Sequence, residues 1–294
     1  MVLGARGSWA FVLPFRGTKL LGLVSVATAI AVATIVFQTL ASNRILTPSI
    51  MGFDALYVLL QTVLVFTFGG LGYLSVPLEV KFVVELLLLS GAALALFGSL
   101  LGQGTQDLFR MLLIGVVFGV LFRSLTSLLQ RIIDPSEFAF LQAMLFASFN
   151  HIETSLLAIS IPLITACCVV VWFKRKAFDV MALGRDQAIG LGVNYKRELL
   201  IGLILVTALV ATSTALVGPI AFFGLLVSAI SYEVMKTHNH GPVFIAAVLI
   251  AIIVLVGGQA IFERLLGMGG TLSIVIEFLG GLVFLYLILK RIRA

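Results

Sequence analysis

Residues 18–41, TKLLGLVSVATAIAVATIVFQTLA, carry a single charged side chain, Lys19. About 20 apolar residues in a helix match the hydrocarbon thickness of a bilayer. No other feature narrows the choice of fold as much, and it recurs. Similar runs lie near 53–71, 80–101, 109–131, 154–173, 197–217, 220–235, 242–262 and 272–290. Of the 294 residues, 61% are hydrophobic and 11% charged. A soluble domain cannot hide that much apolar surface, because exposed apolar patches on soluble proteins reach only a few hundred Å². A membrane β-barrel needs short segments alternating at period two, and none occur. The reading is an all-α polytopic membrane protein, a single transmembrane domain over 1–294 with about nine crossings.

The run at 220–235 is short and opens on Gly218-Pro219, which points to a broken or partial helix. Between the fourth and fifth runs, IDPSEFAFLQAMLFASFN (133–150) begins with Pro-Ser-Glu, like a helix N-terminus, but is too short to cross. A non-crossing helix is expected near 136–150, at the membrane surface or in a cavity. Nine crossings put the termini on opposite sides. With the C-terminus in the cytoplasm, twelve of the 19 Lys and Arg fall in cytoplasmic segments, six fall outside and Arg123 lies within a span. The reverse orientation inverts the positive-inside bias. The longest polar connection, KRKAFDVMALGRDQAIGLGVNYKRE (174–198), is then cytoplasmic. It reads either as an ordinary basic loop or as a docking element, since its Leu, Ile, Val and Met residues exceed what a solvated loop needs.

Chemistry-bearing residues are sparse. The net charge of +6 marks cytoplasmic loops rather than nucleic-acid contact. Cys167 and Cys168 are adjacent in an apolar run and read as small packing residues. His151, His238 and His240 lack metal-ligand company, and the last two read as a polar cytoplasmic turn. No metal site is expected. There is no Gly-x-x-x-x-Gly-Lys-Ser/Thr loop, so ATP must be hydrolysed by another subunit if it is used at all. Arg16 and Lys19, at i and i+3, share one helix face. On their own residues they read as snorkelling anchors at the membrane edge.

Arg123 lies mid-span in GVVFGVLFRSLTSLL, where a buried cation costs at least about 2.5 kcal/mol unless paired or hydrated. It either faces a central cavity or pairs with an internal acid such as Glu85. Gly115 and Gly119 in the same run permit close helix approach. The connection SNRILTPSIMGFD (42–54) concentrates polar residues between two apolar runs, and Pro48 prevents a smooth helical continuation through it. On its own residues it is either a tight turn or something more specialised.

Four segments carry a resemblance. DVMALGRDQAIGLGVN (179–194) resembles the cytoplasmic loop of the FecCD-type permeases, the membrane subunits of ABC importers for iron-siderophores, haem and vitamin B12. LVGPIAFFGLLV (216–227) is similar to the family's Gly-Pro-Ile-x-Phe-x-Gly-Leu motif, and FLGGLVFLYLILKR fits its final helix. Gln38 followed by NRILTPSIMGFD matches the family's Gln…Asn-Pro-Leu-Ala-x-Pro-x-x-x-Gly segment, in the form of a subgroup importing anguibactin-, petrobactin- and vibriobactin-type ferric siderophores. The matches run in order over nearly the whole chain.

The resemblance implies a type II ABC importer fold and a permease subunit in a bacterial cytoplasmic (inner) membrane, crossing it many times. Its implied partners are a second permease chain, which differs from the first in this subgroup, and two cytoplasmic ATPases that hold ATP-Mg. A periplasmic or lipid-anchored binding protein would deliver the ferric siderophore, and this chain would bind no cofactor. The segment 42–54 would be a cytoplasmic gate with Asn43 and Ile45 at gate positions, joined by Leu108 and Phe109 from GQGTQDLFR (102–110). Ala182, Leu183, Gly184, Ala188, Leu191 and Gly192 would form the ATPase dock. Arg16, Lys19 and Arg264 would meet carboxylates of the binding protein, and Arg123 would lie on the substrate path.

Two departures stand out. Family members commonly have ten crossings, and the helix preceding the segment WAFVLPFRGTKLL is not found in this sequence. Many members continue the Gly-Leu motif with Pro-His-x-x-Arg, where this chain reads SAISY (228–232), which disfavours a haem or cobalamin cargo. The reading from a different class is an ion-coupled secondary transporter, for which only Asp54 and Glu85 offer intramembrane acids.

Overall fold

The computed structural model describes residues 9–102, 108–145, 149, 152–265 and 272–292. The side chains of 9–15, 97–102, 108–112, 264 and 265 are among those outside the description. The described residues form helices and contain no strand. In chain order these are α1 (Trp9–Leu40), α2 (Phe53–Ser75), α3 (Leu78–Gly102), α4 (Leu108–Ile132), α5 (Pro135–Leu145), α6 (Thr154–Met181), α7 (Arg185–Gly190), α8 (Tyr195–Val217), α9 (Phe223–Met235), α10 (His240–Leu265) and α11 (Leu272–Ile292). Each of the nine expected runs coincides with a helix. Among the described residues six helices are long and apolar enough to cross a membrane: α1, α2, α4, α6, α8 and α10. α9 is apolar but shorter.

α1 is the axis of the bundle, packed by α8, α10, α6 and α9. Ala27, Ala29, Ala31 and Ala33 are fully or almost fully buried along it. Small side chains let helix backbones approach closely, which matters in lipid because there is no hydrophobic gain from hiding one apolar helix against another. For the same reason the outer faces stay apolar and open. Leu71 is 86% exposed and Phe173 77% exposed, as side chains solvated by lipid can be.

α5 is the expected short helix. Asp134 caps it, its Oδ1 accepting from the Ser136 backbone N–H at 3.0 Å and from the Ser136 hydroxyl at 2.8 Å, with Pro135 at the first helical position. Those two hydrogen bonds hold the Asp134 carboxyl below its ordinary range. One residue further, Glu137 reaches α2. There Gly69, at φ 69 and ψ 165, breaks the helix and frees a backbone donor. Glu137 Oε1 accepts that donor, the Gly70 N–H, at 3.1 Å. The kink in α2 and the position of α5 therefore depend on one another.

The expected broken helix at 218–235 is also present. α8 ends at Gly218 (φ 94), and α9 starts only at Phe223, after Phe222 in the left-handed region at φ 54. The chain direction then sorts the connections. The ends of α1, α6 and α9 and the starts of α2, α8 and α10 share one end of the bundle. The starts of α1 and α6 and the end of α10 lie at the other.

Candidate functional site

The segment 41–52 leaves α1 through Ser42, a non-glycine residue at φ 49. Asn43 is buried, and its Oδ1 accepts the Ile45 N–H at 3.0 Å, closing a side-chain turn. Ile45 is half-buried beside it. Gln38 holds the turn from behind: its Nε2 donates to the Arg44 carbonyl at 2.6 Å and to the Ser228 hydroxyl on α9 at 2.9 Å. The Arg44 guanidinium stacks over the Tyr232 ring at 4.2 Å and lies 2.7 Å from His238 Nδ1. The segment is thus clamped between the end of α1 and the α9–α10 turn.

Its far end is clamped by α4. Gly52 takes φ 96, and a Cβ there would meet the Gly119 backbone at 3.3 Å. A Cβ on Gly115 would lie 2.7 Å from Met51 Sδ. The expected close approach at Gly115 and Gly119 therefore brings α4 against this segment. Leu108 and Phe109 begin α4 at the same end of the bundle, but their side chains lie outside the described residues.

The 179–194 loop sits at this end too. Gly184 (φ 107) and Gly192 (φ 84) bound the one-and-a-half turns of α7, in a region of backbone space that other residues enter at a cost. The Val193 N–H donates to the Ala188 carbonyl at 3.0 Å and the Gly192 N–H to the Ile189 carbonyl at 3.0 Å, closing the helix. Ala188 is fully buried, so it seats α7 on its own chain, whereas Leu183, Ile189 and Leu191 are 51–63% exposed. Ala182 is also exposed. Ile189 was absent from the expected docking set. Its outward direction on a six-residue helix could have been read from the spacing to Ala188.

The other sequence-predicted residues separate cleanly. Arg16 and Lys19 begin α1 at the opposite end, where Lys19 Nζ forms an ion pair with Glu263 of α10. Arg16 acts electrostatically on the same carboxylate. The Arg264 backbone follows in α10, and its side chain lies outside the described residues. Arg123 is on the open face of α4, its guanidinium folded back over Gly119. With Ser124, Ser127 and Arg131 it lines a groove of about 400 Å³. Glu85 is buried elsewhere, accepting from the Tyr73 hydroxyl at 2.8 Å. Among the described residues no ion pair joins Arg123 to Glu85.

One functional candidate escaped sequence reasoning. His240 is not part of a solvated turn. It is 3% exposed at the first position of α10, between Thr39 of α1 and Asp179 of α6. The two spaced histidines in KTHNHGP were the available signal, but nothing local says which of them turns inward. Groups of three or more metal-ligating side chains are absent among the described residues.

The chain is 44% identical over 285 residues to the petrobactin import system permease protein YclO of Bacillus subtilis (strain 168), covering 97% of this chain and 90% of that protein. It is 32% identical to the petrobactin import system permease protein FatC of Bacillus anthracis, over 94% of this chain and 78% of that one. A solved inward-facing structure of a metal-chelate type ABC transporter superimposes with a TM-score of 0.78 at 22% identity, covering 97% of this chain and 92% of its own, which establishes a common fold. The model of the FecCD transport family matches residues 2–290. By that match, nearly end to end, and by the identity to YclO, this chain belongs to the FecCD transport family of membrane permeases.

Proposed function

We propose that the chain is the membrane-spanning permease subunit of an ATP-driven importer that carries a ferric siderophore across the bacterial cytoplasmic membrane. The observation that carries this reading is the 44% identity to a petrobactin permease over 97% of the chain. In this reading the end of the bundle with segment 42–54 and α7 is cytoplasmic, as is the C-terminus. The exposed Leu183, Ile189 and Leu191 enter a groove on a separate ATPase, which holds the ATP-Mg. The 42–54 segment, with Asn43 and Ile45, closes the exit between this chain and a second, different permease chain, and Leu108 and Phe109 join it there. At the outer end Arg16, Lys19 and Arg264 face a periplasmic or lipid-anchored binding protein. Arg123 meets the anionic ferric chelate on its way through.

The test is co-expression with the neighbouring ATPase and second permease genes, purification, and uptake of radio-iron as ferric petrobactin into proteoliposomes. The expected result is a stable complex and uptake that requires internal ATP. Uptake driven by an ion gradient without ATP would make the chain a secondary transporter. Competition by haemin or cobalamin at equal concentration would reassign the cargo.

A further inference from the structure

The end of α6, which leads into the docking loop, and the end of α1, which leads into the gate segment, are bridged by His240. The Asp179 carboxylate, three residues before Ala182 on α6, accepts twice through Oδ1: from the His240 backbone N–H at 2.7 Å and from the ring at Nδ1, also 2.7 Å away. The backbone bond satisfies one of the orphan donors at the start of α10, so a side chain of α6 caps α10. A carboxylate acceptor keeps the proton on Nδ1, which leaves Nε2 facing the Thr39 hydroxyl at 2.7 Å. Thr39 is in the last turn of α1, four residues before Asn43. Its hydroxyl also lies 2.9 Å from the Ile35 carbonyl, so its single proton has two alternative acceptors, Nε2 and that carbonyl. Phe178 and Phe244 rings, centred 6.1 and 5.5 Å from the imidazole, keep water out.

Two residues earlier in the same turn, His238 contacts Arg44 of the 42–54 segment at 2.7 Å. The turn before α10 therefore grips the end of α6 on one side and both flanks of the α1 exit on the other. Hydrogen bonds at this distance lose most of their strength when stretched by an ångström or bent far from linear. His240 and Thr39 are buried and cannot exchange to water at low cost, whereas the Asp179 side chain is 32% exposed. A displacement of the α6 end must either carry Thr39 with it or break the set.

We propose that His240 is the positioning residue through which movement of the docking loop reaches the gate segment, with Asp179 as its input and Thr39 as its output. The inference rests on the docking and gating roles proposed above.

The test uses the full complex in proteoliposomes with ferric petrobactin as cargo, comparing uptake per ATP hydrolysed in His240→Ala, Asp179→Asn and Thr39→Val. Thr39→Val keeps the shape and removes only the hydroxyl; Asp179→Asn keeps an acceptor for the His240 N–H and removes the charge. Uptake per ATP is expected to fall about tenfold in His240→Ala and Thr39→Val, within the usual range of coupling between sites. Asp179→Asn is expected to retain more of it. The complex should still assemble and hydrolyse ATP. Parallel loss of ATPase activity and uptake, with an unchanged ratio, in Thr39→Val would overturn the proposal and leave His240 a packing residue. A docking-loop variant, Gly192→Val, is run alongside. If it keeps normal coupling, the docking assignment fails; if it uncouples while Thr39→Val does not, only the His240 link fails.

Discussion

The ammonium of Lys19 and the carboxylate of Glu263 form an ion pair that ties the start of α1 to the end of α10, with 15% and 33% of the side chains exposed. One of the cations expected to greet a partner is therefore already engaged inside its own chain. This internal pairing and the docking role proposed for Lys19 can be separated by experiment. Lys19→Glu places two carboxylates together and should lower thermal stability; exchanging the pair, as Lys19→Glu with Glu263→Lys, should restore it. The pair itself is worth about 1 kcal/mol or less at such exposure. Reversing Arg16 and Lys19 together should weaken capture of the binding protein and flatten its dependence on ionic strength. Unchanged affinity and salt slope in the reconstituted complex would leave both residues as membrane-edge anchors.

Gly192 should tolerate substitution in the order Asn, then Ala, then Val. No atom lies within 4 Å of a Cβ built there, so space is not the constraint; the φ of 84 is. The left-handed region costs an ordinary residue about 1–2 kcal/mol and Asn less. Uptake per ATP, measured with membrane insertion as control, should follow that order. An order set by side-chain size alone, with Asn no better than a residue of equal volume, would point to contact rather than backbone shape.

Gly115→Ala should destabilise the segment at Met51, because the new methyl would sit 2.7 Å from Sδ and 2.9 Å from Cε. The end of a methionine can move, so the loss should be modest, about 1 kcal/mol. Adding Met51→Ala should return part of it. A double-mutant cycle on melting temperature reads the coupling, and strict additivity would mean that the two positions do not share a contact.

Arg123→Gln keeps a donor on the α4 face and removes its charge. With Arg123 on the cargo path, uptake of an anionic ferric chelate should fall well below that of a neutral analogue, with assembly intact. Equal losses for both cargoes, or a drop in melting temperature first, would assign the residue to structure. The measurement is competitive uptake of the two chelates by one proteoliposome preparation.

The sequence by itself determined the class of this protein, the position of its helices and the breaks between them. These follow from local quantities: a bilayer demands consecutive apolar residues, glycine favours a turn, and a Pro-Ser-Glu start marks a helix. Even the break before α9 was legible in Gly218-Pro219. Tertiary structure alone decided who meets whom. Lys19 and Glu263 are 244 positions apart, Thr39 and His240 are 201 apart, and Asp179 and His240 are 61 apart. A helix that is apolar on every side does not announce its rotation or its neighbour, so His240 could be read as a surface turn and Ala188 as a partner contact. Packing among small residues fixed the rotations. Only then could polar groups far apart in the chain meet, as the buried His240 and Thr39 do, because a buried polar group left unpaired costs free energy.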